Sequence, residues 1–224
     1  MAILLKNGLV LRDFNGATAP GSLGWLAERK LLGPHVNLVH ACNASHEELR
    51  AVADAGASLS VTAEVEMQMG MGAPAFRSGL AANVTTALGT DIPSSASSDL
   101  FSAMRFTLQT ARGLAHLETL ASGNAATEVP FASRDVLDAV TAAGARALGL
   151  GSRTGRIAEG LEADLVVLRT DDFISGPSPS RATPFSMPTR PMSNASSCAA
   201  RSSNGAASSS RAISARCGNG LRSV

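Results

Sequence analysis

The sequence of 224 residues predicts an α/β fold built on parallel strands. Short, apolar, β-branched segments alternate along it with longer segments whose apolar residues recur at helical spacing. Strands that are separated by helices pair in parallel, because the chain crosses back before each new strand begins. The length allows one full domain, which usually has roughly 100–200 residues, and some additional structure.

The first predicted helix covers residues 23–32, where Leu and Trp recur at helical spacing. It ends at Gly33 and Pro34, which interrupt helices. Residues 36–39 form a short apolar segment, which predicts a buried strand. His40 follows this strand directly.

The next helix is predicted from its start signal. Ser45 and Glu48 form a capping-box pattern, because the hydroxyl accepts from the third helical N–H while the carboxylate reaches back. This predicts a helix over residues 46–54, which Gly56 ends. The same alternation predicts strands at 58–61 and 84–88, helices at 74–82, 100–117 and 133–148, and a final turn and strand within 155–168.

Charge divides the chain into two unlike regions. All 18 acidic residues and all four His lie at or before Asp172. Residues 1–172 also contain 13 of the 19 Lys and Arg residues, so their net charge is −5. Residues 173–224 have six Arg and no acidic residue or Lys, and they are rich in Ser and Pro. This composition predicts a disordered tail or a basic arm for nucleic acid. We expect three regions, at 1–150, 151–172 and 173–224.

Composition also limits where the protein acts. No apolar run approaches the ~18 residues of a membrane helix, and the first eleven residues form a strand pattern rather than a leader. Cys42, Cys198 and Cys217 are widely spaced, which indicates neither a disulfide framework nor a thiolate zinc site. We therefore expect a cytoplasmic protein without a membrane partner.

Polar side chains follow three of the predicted strands. Parallel sheets bind ligands at the carboxyl ends of their strands, where His40, Thr62 and Asp91 fall. Asp91 could ligate a metal or act as a general base, or it could simply cap a helix or loop. His40 could hydrogen-bond a substrate or be structural. Glu64 and Glu66 could form an acid–base pair, but close carboxylates in a loop are usually solvated.

A series of short motifs in one order resembles the C-terminal half of the amidohydrolase superfamily, nearest to its cytosine deaminase, chlorohydrolase and S-adenosylhomocysteine deaminase branch. The similarity covers residues 23–172. Its main motifs are Leu38-Val39-His40-Ala41-Cys42, Asp54-Ala55-Gly56-Ala57, Leu88-Gly89-Thr90-Asp91 and Ala163-Asp164-Leu165-Val166-Val167.

The resemblance implies a partial (β/α)8 TIM barrel, its last strands and helices, followed by the start of a small β-sandwich segment. It also implies a metal-dependent hydrolase of non-peptide C–N bonds that acts on a small heterocyclic amine substrate, with zinc or iron as the divalent metal. On this interpretation Asp91 contacts the metal and takes a proton from the attacking water. His40 polarises the substrate and shuttles protons, so His40 and Asp91 are the candidate catalytic residues.

The departures from the family pattern concern the metal. The family's first-strand His-x-His and fifth-strand His have no counterpart, because the similarity begins after the fifth strand. The remaining histidines, His35, His46 and His116, fall on a loop and two helices. We therefore expect an inactive fragment that does not hold the metal stably and that self-associates through its open barrel edges.

Two further hypotheses concern the tail. The codons that can encode residues 183–204 also permit a second amino-acid sequence when the reading frame is shifted. In that sequence apolar and polar residues alternate as in a strand, and it resembles the family's closing β-sandwich segment. A frameshift near residues 174–177 would explain this, and sequencing the encoding DNA tests it. The alternative function is a non-enzymatic binding protein whose Arg-rich tail contacts RNA or acidic partners, which a steep salt dependence of binding would support. We expect nucleic acid to be the less favoured partner.

Overall fold

The structure is a computed structural model, and it describes residues 22–167 and 196–200. The elements within these ranges are, in chain order, α1 (Ser22–Glu28), β1 (Asn37–Val39), α2 (His46–Asp54), β2 (Ser58–Val61), α3 (Ala63–Gln68), α4 (Phe76–Ala81), β3 (Thr85–Leu88), α5 (Leu100–Ala121), α6 (Ser133–Val140), α7 (Ala142–Ala147), β4 (Ala163–Val167) and β5 (Ser196–Ala200).

The first three strands form a parallel sheet in the order β1-β2-β3. Helix α2 connects β1 to β2, and α3 and α4 connect β2 to β3. The predicted α/β class is confirmed, and the partial parallel sheet is consistent with part of a (β/α)8 barrel. Because all three strands run the same way, their carboxyl ends lie at one edge of the sheet.

Helix α2 has the predicted bounds and the predicted cap. The backbone N–H of Glu48 donates to the Ser45 hydroxyl at 3.1 Å, and the Ser45 N–H donates to the Glu48 carboxylate at 3.0 Å. The other Glu48 oxygen accepts from the Leu23 N–H at 3.0 Å. One carboxylate therefore both caps α2 and holds the start of α1.

The core lies between the sheet and its helices. Leu49 of α2, Leu59 of β2, Phe76 of α4 and Val136 of α6 are all fully buried and belong to one cluster. Burying a side chain of this size stabilises the fold by about 1.5–3 kcal/mol. The core thus fixes the strand ends from the helical side.

Helix α1 ends four residues before its predicted end and α5 four residues after, and two other helical segments differ in more than their ends. Residues 63–68 read as loop in the sequence but form α3. The single helix predicted over 133–148 is broken at Thr141, which has φ −115° and ψ −92° and separates α6 from α7. The Thr141 hydroxyl donates to the Leu137 carbonyl at 2.6 Å. Such a bond to the preceding turn competes with the helical ladder and bends helices.

The first strand is more polar than its sequence pattern predicts. Asn37 of β1 pairs in register with Ser58 of β2, and its Oδ1 accepts from the hydroxyls of Ser58 at 3.0 Å and Ser60 at 3.2 Å. Val39, on the same face as Asn37, is 52% exposed. Alternate positions of β1 therefore form an accessible face with one polar and one apolar side chain rather than a buried apolar one.

The last two strands form a separate antiparallel pair. β4 confirms the strand predicted within 155–168, and it pairs with β5 from Ala163 opposite Ala200 to Val167 opposite Ser196. The prediction of a disordered tail is wrong for the five residues of β5, because backbone pairing orders a strand without apolar periodicity. The rest of the predicted tail, with its proposed frameshift, lies outside the described residues.

Candidate active site

The two candidate catalytic residues lie side by side at the carboxyl ends of the sheet. His40 directly follows β1, and its N–H continues the strand pairing by donating to the Ser60 carbonyl at 3.0 Å. Asp91 comes three residues after β3. His40 Nε2 and Asp91 Oδ2 are 3.8 Å apart, and the side chains are 28% and 24% exposed. Two residues far apart in sequence therefore present titratable groups to one accessible edge.

The backbone at both positions is strained. His40 has φ 71°, Ala41 has φ 50° and Asp91 has φ 57°, all in the left-handed region. A residue with a Cβ in this region costs of order 1–3 kcal/mol, and such residues cluster at functional sites. Combined with the 3.8 Å approach of the two side chains, the strain makes these two strand ends the strongest candidate site among the described residues.

A third residue, Glu66, contacts the His40 ring at Nδ1, whereas Asp91 lies near Nε2. Glu66 of α3 is fully buried, and its Oε1 lies 3.3 Å from His40 Nδ1 and accepts from the Thr62 N–H at 2.8 Å. The Thr62 hydroxyl lies 3.0 Å from the same His40 nitrogen. Burial raises the pKa of the Glu66 carboxyl, and hydrogen bonds from Thr62 and His40 partly offset the rise.

The role of Glu66 is not predicted from the sequence, because this segment reads there as a solvated loop. One signal was available, since Glu66 lies four residues after the strand-end residue Thr62, one helical turn away. Its neighbours Ala63 and Val65 are apolar and buried, which favours a helix packed on the sheet. Thr62 itself lies at a strand end in the structure, as its sequence position predicts.

Cys42 shares the environment of Glu66 without being reactive. Burial, followed by the charge of Glu66 and a hydrogen bond to it, raises the pKa of the Cys42 thiol from 9.0 to about 12. The thiolate is the nucleophilic form of cysteine. Cys42 is therefore an inert thiol at neutral pH, although it is only partly buried.

The loops that carry these residues are tied together. Asn43 donates from its side-chain amide to the Met71 carbonyl at 3.1 Å, which joins the loop after β1 to the loop after α3. Glu64 of α3 accepts from the Ser97 N–H at 3.2 Å and from its hydroxyl at 2.8 Å, which joins α3 to the loop after β3. Helix α3 thus fixes the loops that carry both His40 and Asp91.

The described residues do not by themselves fit a complete metal site. Catalytic zinc normally has three protein ligands and an open position. No group of three or more His, Cys, Asp or Glu that could hold a metal is found in residues 22–167 and 196–200. His40 Nδ1 faces Glu66 and Thr62, and His116 contacts the Glu128 carbonyl. Within these ranges, Asp91 and His40 Nε2 are therefore at most two candidate ligands at this edge of the sheet, one fewer than a catalytic zinc needs.

Membrane insertion has no support in the helices that the structure describes. None of them is long and apolar enough to cross a bilayer.

Solved structures with similar folds include two deaminases and a chlorohydrolase. An adenosine deaminase from Xanthomonas campestris, solved with bound zinc, is 26% identical, has a TM-score of 0.60 and matches 74% of this chain and 37% of its own. An atrazine chlorohydrolase from Arthrobacter aurescens, complexed with zinc, is 23% identical, with a TM-score of 0.62 and coverages of 75% and 35%. The guanine deaminase of E. coli is 18% identical, with a TM-score of 0.50 and coverages of 62% and 30%. The chain spans about a third of the length of these structures.

Two comparisons of the sequence gave different results, and the one with protein families agrees with the comparison of folds. No curated protein is significantly similar to the chain. The model of the amidohydrolase family matches residues 11–196, which include β1 to β4 and both strand-end residues. This match extends over most of the sequence, and the parallel sheet agrees with it. The chain therefore belongs to the amidohydrolase family.

Proposed function

We propose that this chain carries the histidine–aspartate pair of a hydrolase of non-peptide C–N bonds that acts on a small heterocyclic amine. The observation that supports this proposal best is the pairing of His40 Nε2 with Asp91 Oδ2 at 3.8 Å, on two strand ends with left-handed backbones. The adenosine deaminase among the similar structures supports the choice of substrate class.

The proposed reaction replaces the amino group of the heterocycle by the oxygen of water. An O–C bond forms at the carbon that bears the amino group, and the C–N bond to the leaving ammonia breaks. Asp91 accepts a proton from the attacking water, and that proton then passes to the leaving nitrogen. His40 hydrogen-bonds the ring of the substrate through Nε2 and holds or returns the proton that the ring exchanges. Atoms and charges balance, with ammonia as the second product.

We further propose that the 224-residue chain has no turnover by itself. Among the described residues no third His, Cys, Asp or Glu joins Asp91 and His40 in a metal site, and two ligands are too few for the divalent zinc or iron that the family uses. The missing ligands would have to come from another polypeptide segment that completes the barrel.

A chimaera tests the proposed function. The part of the Xanthomonas adenosine deaminase that this chain does not match is joined to residues 23–167, and ammonia release from adenosine, a pyrimidine and a triazine is measured with added zinc. We expect turnover that falls at least ~100-fold in His40→Gln and in Asp91→Asn, because general acid–base groups contribute roughly 10²–10⁴-fold. The matched control is His35→Gln, since His35 lies in the loop before β1.

Two outcomes would contradict the proposal. A folded, zinc-loaded chimaera that releases no ammonia from any of the three substrate classes would refute the assigned chemistry. Turnover by the isolated chain that disappears in His40→Gln would refute the claim that it is inactive alone.

A further inference from the structure

We propose that Glu66 is the positioning residue for His40. Its carboxylate keeps the single proton of the neutral imidazole on Nδ1 and leaves Nε2 bare beside Asp91. The catalytic meaning of this arrangement rests on the proposed function, whereas the arrangement itself follows from the contacts of the two side chains.

The first step concerns the atom that faces the imidazole. Glu66 Oε1 accepts from the Thr62 N–H at 2.8 Å, so this oxygen is a hydrogen-bond acceptor. The same oxygen lies 3.3 Å from His40 Nδ1. Two lone pairs at that distance would repel, and Nδ1 therefore carries the hydrogen and donates it.

The second step concerns Thr62, which is closer to the imidazole. Its hydroxyl lies 3.0 Å from His40 Nδ1 and 3.4 Å from Glu66 Oε1. A hydroxyl can donate or accept, so Thr62 alone would allow either form of the histidine. The carboxylate removes this freedom, because it can only accept through Oε1. The Thr62 hydroxyl then donates to Glu66 and accepts from His40.

The third step is the consequence at the open side of the ring. A neutral imidazole with its hydrogen on Nδ1 has a lone pair on Nε2, and Asp91 Oδ2, at 3.8 Å from Nε2, lies beyond hydrogen-bond distance and does not fix a hydrogen there. This nitrogen can take a proton from a bound molecule. The imidazolium that forms then lies between two carboxyl groups, Glu66 on one side and Asp91 on the other.

Burial makes Glu66 suited to this role. The side chain is fully buried, and its second oxygen, Oε2, has no hydrogen-bond partner within the described part of the chain. Leaving such an atom unsatisfied is unfavourable for folding. An Ala or Leu at this position would avoid that cost, so stability alone does not explain a carboxylate there.

The chain offers a matched control two residues away. Glu64 lies on the same helix, α3, but its carboxylate binds Ser97 rather than His40. Replacing Glu64 removes a carboxylate from α3 and disturbs the loop after β3, yet it leaves the contacts of His40 Nδ1 with Glu66 and Thr62 in place.

The test reads the proton position directly, by nitrogen NMR of the full chain labelled with ¹⁵N-histidine. Spectra are recorded at a pH of about 8.5, roughly two units above the ordinary histidine pKa. Loss of signals in His40→Gln assigns the His40 ring. We expect a protonated Nδ1 and a bare Nε2 in the wild type, in Glu64→Gln, and in Glu66→Gln, whose carbonyl oxygen still accepts. In Glu66→Met, which keeps the side-chain length without an acceptor, this single pattern is lost and the form protonated on Nε2 becomes populated.

Several results would overturn the inference. A wild type protonated on Nε2 would do so, and so would a folded Glu66→Met with an unchanged His40 pattern. Thr62→Val is expected to keep the wild-type pattern, and a change there equal to that in Glu66→Met would transfer the role to Thr62. If Glu66→Met does not fold, the wild type and Thr62→Val still decide. Because none of these readouts needs turnover, an Nδ1-protonated His40 in a chimaera without activity would refute the proposed function alone.

Discussion

At the scale of single residues, the backbone strain at Asp91 predicts an unusual order of stability. Glycine adopts a φ of 57° without cost, whereas alanine retains the steric penalty of a Cβ. Both replacements remove the carboxylate that lies 3.8 Å from His40 Nε2, so their difference isolates the backbone. We expect Asp91→Gly to be more stable than Asp91→Ala by about 1 kcal/mol in urea unfolding.

The neighbouring residue provides the control. Thr90 is not among the described residues with positive φ. Thr90→Gly should therefore be less stable than Thr90→Ala, because glycine loses more chain entropy on folding. If glycine is also the less stable replacement at Asp91, the strain does not exist.

Cys42 provides a second prediction at this scale. A thiol pKa raised from 9.0 to about 12 lowers the thiolate fraction at neutral pH roughly 1000-fold. In a Cys198→Ser, Cys217→Ser background, we expect iodoacetamide to modify Cys42 roughly 100- to 1000-fold more slowly than a free thiol.

Glu66 should account for part of that protection. Burial is the main cause of the raised pKa of Cys42 and the Glu66 charge is the next, so Glu66→Gln should speed modification without restoring the free rate. A folded protein whose Cys42 reacts as fast as free cysteine would show that the thiol is not held in this environment.

At the scale of elements, the close packing of α4 on the sheet makes one glycine necessary. A Cβ on Gly79 would lie 2.7 Å from the Thr86 hydroxyl oxygen and 3.1 Å from Leu59 Cδ2, and both partners are buried. We expect Gly79→Ala to lower the free energy of unfolding by about 1–3 kcal/mol, as overpacked cores do. Chemical denaturation with circular dichroism measures the effect.

The same change in α5 should have the opposite sign. A Cβ on Gly113 would meet no atom within 4 Å, so alanine there adds helix propensity of about 1 kcal/mol and no clash. Equal effects of the two replacements would mean that α4 does not pack as closely as described.

At the scale of the whole molecule, the exposed edge of the sheet predicts self-association. Among the described residues β1 is an edge strand in the sheet order β1-β2-β3, and Val39 is 52% exposed. Unpaired strand edges pair with other chains unless a charge blocks them. We expect the 224-residue chain to elute as an oligomer in size-exclusion chromatography, and Val39→Lys to shift it towards the monomer.

Val129→Lys is the control, because Val129 is 69% exposed but lies in the loop between α5 and α6. It should leave the elution unchanged. A wild-type chain that elutes as a monomer would contradict the prediction, and an equal shift in both variants would show that added charge acts without regard to the edge.

Metal binding by the isolated chain is the second prediction at this scale. After a chelator wash and zinc addition, elemental analysis should find much less than one zinc per chain, because no group of three candidate ligands is found among the described residues. Asp91→Ala should not change the result. One zinc per chain that is lost in Asp91→Ala would mean that further ligands join Asp91.

Features that depend on residues close together in the chain were predicted from the sequence. The bounds of α2 and its cap follow from Ser45 and Glu48, which act within one helical turn. Strand β2 follows from Leu59 and Val61, which alternate with two serines. The strand ends of β1 and β3 place His40 and Asp91 at the same edge once the sheet is parallel. These features depend on neighbours along the chain, which the sequence displays.

Features that depend on contacts distant in sequence were decided by the tertiary structure. The sequence by itself determined the fold class, helix α2, the order of the strands along the chain, and the positions of His40 and Asp91 after two of those strands. Only the fold decided that α3 forms, that Glu66 is buried against His40, and that β5 pairs with β4. The physical reason is that a carboxylate is buried, or a polar strand is ordered, only when a partner from elsewhere in the chain satisfies its hydrogen bonds, and no local pattern encodes that partner.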